Sequence, residues 1–310
     1  MTLFQALDRN FSTKNIGYKH FGYFCLMKWM KRIFDFYLDA SIHVAFAVFS
    51  LVQITWLTLN IPSDKHLSWF LFFGTISCYN FIKYGVEAEK YLLVANRYHK
   101  NIQLLSFIAS GLALYHAYYL SIAIWSGLVI LVLLTVLYAV PLLPNAKNLR
   151  SWGGLKIFIV ALVWSGATVI LPGISVHDSV PWDIGVEAFQ RFLLVLILLI
   201  PFEIRDLQYD QKELRTIPQH YGVTKTKIFG AFLVLLFFFG TFLKDRIGYN
   251  ELLGKGMLFL GLGCLMYKTK RQQSKYFASF WVEGIPVIWY VILVFLEYTF
   301  SPHFAIAVSS

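Results

Sequence analysis

Pro201-Phe-Glu-Ile-Arg-Asp206-Leu-Gln-Tyr-Asp210-Gln-Lys212-Glu-Leu-Arg215-Thr-Ile-Pro218-Gln-His-Tyr-Gly222 is a polar interruption in a chain of 310 residues that is 58% hydrophobic and only 14% charged. It follows directly on a hydrophobic stretch, Gly185 to Ile204, and another, Lys227 to Leu243, comes after it. About 20 mostly apolar residues in a helix cross the ~30 Å of hydrocarbon in a bilayer. The interruption therefore reads as a loop between two membrane spans.

Working outward, seven more such stretches appear: Leu38 to Asn60, Leu67 to Gly85, Asn101 to Tyr119, Ser121 to Val140, Trp152 to Gly173, Leu252 to Tyr267 and Ser279 to Phe300. Soluble domains carry about 25% charged residues. With a mean hydropathy of +0.61, composition excludes a water-soluble globule, a disordered chain, a coiled coil and a disulfide scaffold. The expected fold is all-α, a polytopic bundle of about nine transmembrane helices. Residues 1–37 are expected to form an N-terminal segment, 38–300 the membrane domain and 301–310 a tail. Between Phe21 and Leu38, Lys28, Lys31 and Arg32 alternate with aromatic residues, the pattern of an amphipathic helix lying in the interface. A signal peptide is not expected, since no uninterrupted apolar run or small-residue cleavage site follows the basic start.

Short cytoplasmic loops retain Lys and Arg, and here most of the 27 basic residues fall on one side. That side receives the N-terminal segment and the loops carrying Lys90 to Lys100, Lys147 and Arg150, Arg205 to Lys227, and Lys268 to Lys275. The opposite loops hold only Lys65, Lys244 and Arg246. An integral membrane protein with a cytoplasmic N-terminus and an external C-terminus is expected, in a bacterial inner membrane. The net charge of +10 follows this topology instead of gathering on one soluble face, so membrane lipids and an anionic ligand, and not nucleic acid, are the expected partners. Cys25, Cys78 and Cys264 have no metal-site spacing and read as reduced packing residues.

Asp206 and Asp210 are four residues apart and so would share one face of a helix, with Arg205, Lys212 and Arg215 beside them. Paired carboxylates suit Mg²⁺, and the basic groups suit phosphate oxygens. Thr216, Pro218 and Gly222 are expected to end that helix and turn the chain. The competing reading is an exposed loop whose charges only satisfy topology, and spacing alone does not separate the two.

The pattern D-x-x-x-D-x-x-x-x-R-T-I-P-x-x-x-G, carried by Asp206, Asp210, Arg215, Thr216, Ile217, Pro218 and Gly222, resembles the second aspartate-rich motif of the UbiA superfamily of intramembrane prenyltransferases. Tyr138-Ala-Val-Pro141 is similar to that family's Y-S-x-P segment. The resemblance implies a helical bundle around a central cavity that binds an isoprenoid diphosphate through Mg²⁺. Asp206 and Asp210 would be metal ligands, at one Mg²⁺ site at most. Asn80, Lys83, Lys156, Lys212 and Arg215 would contact the diphosphate. In the family, ionisation then gives an allylic cation that alkylates an acceptor.

The first motif of that family, N-D-x-x-D, falls on Asn80-Phe81-Ile82-Lys83-Tyr84. The asparagine matches and both aspartates are lost, so half of the hard oxygen ligands are missing. Lys83 could offset some phosphate charge and Glu87 could supply a carboxylate, or the two could form an i,i+4 ion pair. Glu187, Arg191 and Lys255 are expected to reach headgroups from near the external ends of their spans, and His116 to be a packing residue. Two functions stay open: a prenyl-transferring enzyme, and an inactive relative serving as a lipid-binding or structural subunit of a membrane complex.

Overall fold

The computed structural model describes residues 27–84, 97–139, 154–177, 179–208 and 216–300. Every regular element among them is helical. An N-terminal helix, α1 (Met27–Asp39), meets α2 (Ile42–Thr58) at a 55° bend. Then come α3 (Lys65–Tyr84), α4 (Arg97–Ala117) and α5 (Ile122–Ala139). Helix α6 (Leu155–Ser165) runs through a π turn, Gly166–Ile170, into Leu171–Ile174. Helix α7 (Trp182–Asp206), α8 (Ile217–Phe239, closing in the 3₁₀ turn Gly240–Leu243) and α9 (Tyr249–Lys268) follow. A second π turn, Phe277–Val282, leads into α10 (Ile285–Phe300).

Four of these rods are long and apolar enough to cross a bilayer: Leu155–Ile174, Trp182–Asp206, Ile217–Leu243 and Phe277–Phe300. The bent pair α1–α2 makes a fifth when counted as one span. This is short of the nine read from hydropathy, in part because α3, α4 and α9 carry polar side chains within their length.

Helix α7 is the axis of the bundle. The run Phe192-Leu-Leu-Val-Leu-Ile-Leu-Leu-Ile200 is apolar all round, so no face of it needs water. Leu194 and Ile197 are fully buried in a core shared with Ala161 of α6, Phe237 of α8, Leu262 of α9 and Trp289 of α10. At the periphery, α4 and α5 expose Leu104, Phe107, Ile108, Leu114, Ile130 and Leu133. Apolar exposure on that scale marks a surface made for lipid.

Helix α7 is also charged near both ends. Glu187 and Glu203 lie 16 residues apart in sequence, or ~24 Å at 1.5 Å per residue, so two polar clusters stand at opposite levels of the bundle. At the Glu187 level the sequence expectation is corrected. Glu187 and Arg191 are 1% exposed and Lys255 is fully buried, so none of them reaches headgroups. The reason is mutual neutralisation, since a buried ion is tolerated when paired and hydrogen-bonded. Glu187 accepts from Arg191 at 3.3 Å, from Lys255 at 2.9 Å and from Lys244 at 2.8 Å. Glu251 accepts from the same two lysines at 2.7 and 2.6 Å. Gln190 accepts from Lys255 at 2.7 Å and donates to the Phe237 carbonyl at 2.7 Å. Arg191 crosses to α2, donating to the Leu51 carbonyl at 2.8 Å, and to Thr168 in the π turn of α6 at 3.2 Å.

Candidate functional site: a cavity ending in carboxylates

The face of α7 that carries Val195, Leu198, Leu199 and Phe202 lines a cavity of 360 Å³, walled also by α3, α5, α6 and α10. Ile157, Ile159, Val160 and Val163 make the α6 wall apolar. Trp164 crosses to α3, its Nε1 donating to the Tyr79 hydroxyl at 2.8 Å. The polar groups gather at the end where α7 stops: Lys156, Glu203, Asp206 and Glu283 all line the cavity. Lys156 pairs with Glu203 at 2.7 Å, with only 20% and 4% of the two side chains exposed. Arg205 Nε reaches the neighbouring Asp206 carboxylate at 2.8 Å and lies over the Phe202 ring. Such a space can hold an apolar chain along its length and an anionic group, with or without a cation, at its end.

Asp206 and Lys156 both line this cavity. Asp210, Lys212 and Arg215 lie outside the described residues, as do Glu87, Pro141 and Arg150. Helix α7 ends at Asp206, and Leu207 and Gln208 form a turn. Thr216-Ile-Pro218 begins a helix instead of ending one. The Thr216 N–H donates to the Gln219 side chain at 3.0 Å, and Pro218 stands in the first turn of α8, where a missing N–H costs nothing. Gly222, at φ 80°, kinks α8 near its start.

Asn80 does not line the cavity. It is fully buried, its Oδ1 accepts from Ser41 Oγ at 2.7 Å, and its Nδ2 donates to the Ala40 carbonyl at 3.1 Å and to Ser106 at 2.9 Å. Ser41 has φ 60°, a left-handed conformation unusual for a residue with a side chain, and Asn80 holds it there. Lys83 donates to the Asp39 carbonyl at 3.2 Å and stands 3.5 Å from its carboxylate. Phe81 is half exposed and Tyr84 donates to the Asp39 carbonyl at 3.0 Å. Cys78 lines the cavity and, like Cys264, is a free thiol. His116 is paired with His66, Nδ1 to Nδ1 at 3.1 Å, and stacks on Phe73.

Glu203, Asp35, Asp39 and Lys275 carry no role in the sequence reading. Glu203 lies three residues before Asp206, a helical neighbour of the motif, and that spacing could have drawn attention to it. Asp35 and Asp39 repeat the four-residue spacing of the motif itself.

No protein-family model matches the chain, and no curated protein matches it in sequence. Solved structures do share its fold. A digeranylgeranylglyceryl phosphate synthase in membranes superposes with a TM-score of 0.52 at 15% identity, over 86% of this chain and 96% of that one. A UbiA homolog from Archaeoglobus fulgidus bound to GPP and Mg²⁺ gives 0.54 at 13% identity, over 84% and 97%. The same homolog bound to DMAPP and Mg²⁺ gives 0.55 at 13%, over 84% and 96%. The chain therefore has a UbiA-like fold.

Proposed function

We propose that this is an integral membrane protein of the UbiA type whose cavity receives an isoprenoid diphosphate, chain along α6 and α7 and diphosphate at the Asp206 end. The observation that carries the reading is the cavity itself, apolar along its walls and lined at one end by Lys156, Glu203, Asp206 and Glu283. That polarity matches the ligand class of the Archaeoglobus neighbour, GPP and DMAPP with Mg²⁺. The charge pattern of the loops supports a cytoplasmic mouth and N-terminus. Exposed Met27, Trp29, Met30 and Ile33 beside Lys28, Lys31 and Arg32 support an interfacial seat for α1. We read the remaining helices as further spans around the cavity, up to the nine of the hydropathy pattern.

Among the described residues no group of three metal-binding side chains occurs. Asp206 offers hard oxygens on the cavity, and with Asp210 it would hold one Mg²⁺. That fits a single ion and leaves no second set from the first motif. When bound, the ion would neutralise charge on the diphosphate and favour its departure. Lys156, Lys83, Lys212 and Arg215 would meet phosphate oxygens, whereas the Asn80 amide is already committed to the α1–α2 junction. The apolar walls of the cavity would shield a carbocation from water.

A second reading, a binding or scaffold subunit without turnover, is favoured by Phe81 and Tyr84 standing where carboxylates would complete the metal site. Purified protein offered geranyl, farnesyl and longer prenyl diphosphates, with Mg²⁺ and native membrane extract as acceptor source, decides between them. Diphosphate release that is abolished by Asp206→Asn supports transfer. Binding without release, unrescued by Phe81→Asp with Tyr84→Asp, supports the scaffold.

A further inference from the structure

At the end of the cavity lies a second space of 350 Å³, which shares Tyr79, Phe202 and Glu283 with the first. Three cations line this mouth: Lys83, Arg205 and Lys275. Each holds a carboxylate. Lys275 Nζ is 2.8 Å from Asp35 Oδ1, and the Tyr276 hydroxyl donates to the same oxygen at 2.8 Å. Lys83 is 3.5 Å from Asp39 Oδ1, and the Tyr98 hydroxyl donates to Asp39 Oδ2 at 2.8 Å. Arg205 holds Asp206.

Two of these carboxylates come from α1. Asp35 and Asp39 are one helical turn apart, on the face turned to the mouth, and each takes a lysine from a different hairpin of the fold. We propose that Asp35 and Asp39 form a carboxylate clasp, occupying the lysines of an anion-binding mouth that exchange them for a diphosphate group. The identity of the anion as a diphosphate rests on the function proposed above.

The exchange is chemically matched. Carboxylate and phosphate oxygens are both acceptors for an ammonium or a phenol, and a diphosphate brings more charge than either aspartate. It is also accessible. Lys83 and Asp39 are 47% and 45% exposed, and Lys275 and Asp35 are 65% and 23% exposed; ion pairs reached by water are weak enough to trade partners. The dry Glu187 network at the other level has no such freedom. No swing of α1 is required, because Asn80 fixes the bend and Phe34 packs edge-on against Tyr276 and Phe280 at 5.2 and 5.1 Å. Rotation of the side chains alone opens the site.

The test is equilibrium binding of inorganic pyrophosphate in EDTA to the full chain in lipid nanodiscs. It compares the wild type, Asp35→Asn with Asp39→Asn, Lys83→Gln with Lys275→Gln, and all four changes together. The clasp requires about three- to tenfold tighter binding when the aspartates are neutralised, the range open to two water-exposed ion pairs. It also requires weaker binding when the lysines are removed, and no gain from the aspartate changes in that background. An equal gain in both backgrounds is a general charge effect and overturns the proposal. Unchanged affinity, or no binding by any variant, overturns it as well. Should the double aspartate variant fail to fold, Asp35→Asn alone carries the same sign at smaller size. With the metal chelated, these outcomes do not depend on Asp206. Indifference of prenyl diphosphate binding to Asp206→Asn would retire the metal reading and leave the clasp standing, whereas unchanged pyrophosphate affinity of the Asp35→Asn, Asp39→Asn variant in EDTA would retire the clasp and leave the metal reading standing.

Discussion

Glu187 compensates three cations at once, Arg191, Lys244 and Lys255, and Glu251 shares only the two lysines. Removing one partner of a buried pair strands the other at a cost of about 3–5 kcal/mol. Glu187→Gln should therefore lower the thermal unfolding midpoint of the detergent-solubilised protein far more than Glu297→Gln, a change in α10 away from the network. Equal midpoints would show that the network contributes little. Just outside the spans, Lys244 shows the same balance from the other partner's side. Burial works against its ammonium, but Glu187 and Glu251 outweigh that and raise its pKa.

Asp35 behaves differently because water reaches it. Partial burial opposes its charge, while hydrogen bonds from Lys275 and Tyr276 and the Lys275 charge win and hold its carboxyl below the usual carboxylate range. A depressed carboxyl contributes stability above its unfolded pKa and loses it as pH falls through the folded one. The α1 contact should thus be indifferent between pH 7 and 5 and loosen only below about pH 4, the ordinary aspartate value. Trypsin sensitivity at Lys31 and Arg32 is not usable at such pH, so fluorescence of Trp29 serves as the readout. A change centred at pH 6 would point to another group.

Among the elements, the α1–α2 junction depends on a single side chain from α3. Asn80→Ala leaves Ser41 and the Ala40 carbonyl without their partner in a dry site, which costs about 1–3 kcal/mol. The expected result is a lower unfolding midpoint and weakened protection of the α1 amides in hydrogen exchange, with α7 unaffected. Uniform loss of protection would mean that Asn80 supports the whole bundle. Helices α9 and α10 approach closely at Gly254, where an added Cβ would stand 2.5 Å from Leu293. Gly254→Val should cost about 1–3 kcal/mol by overpacking, and Leu293→Ala should recover part of it.

The elements also show where sequence reading succeeds. The apolar run of α7 announces a buried central helix because no face of it is polar. Asp206 is placed at a helix end by the change of composition after Ile204. Thr216-Ile-Pro218 follows an expected helix and so reads as its end, although Pro suits a first turn equally well. Asn80 is a different matter. Its partners Ser41 and Ser106 come from the α1–α2 bend and from α4, and nothing in Asn80-Phe-Ile-Lys-Tyr84 indicates them. Lys255 has one partner within its own helix, Glu251, but the other, Glu187, is 68 residues away, so a polar residue near a span end is easily taken for one that reaches water.

For the molecule as a whole, α7 links a sealed ionic cluster at one level to a water-accessible one at the other, with an apolar cavity beside the second. The sealed cluster fixes α2, α6, α7 and α9 relative to one another. The open one keeps its lysines, its arginine and its carboxylates in pairs that a ligand could exchange. Asp206, the first residue of the aspartate motif, lies at the polar end of the cavity. On the function proposed above, Asp206 acts through a divalent cation on a diphosphate held there. The most direct measurement is farnesyl diphosphate binding to the nanodisc-embedded chain with Mg²⁺ and with EDTA, for the wild type and Asp206→Asn. Binding that needs Mg²⁺ in the wild type and falls at least tenfold in the variant is the predicted result; equal affinity in all four conditions would contradict it.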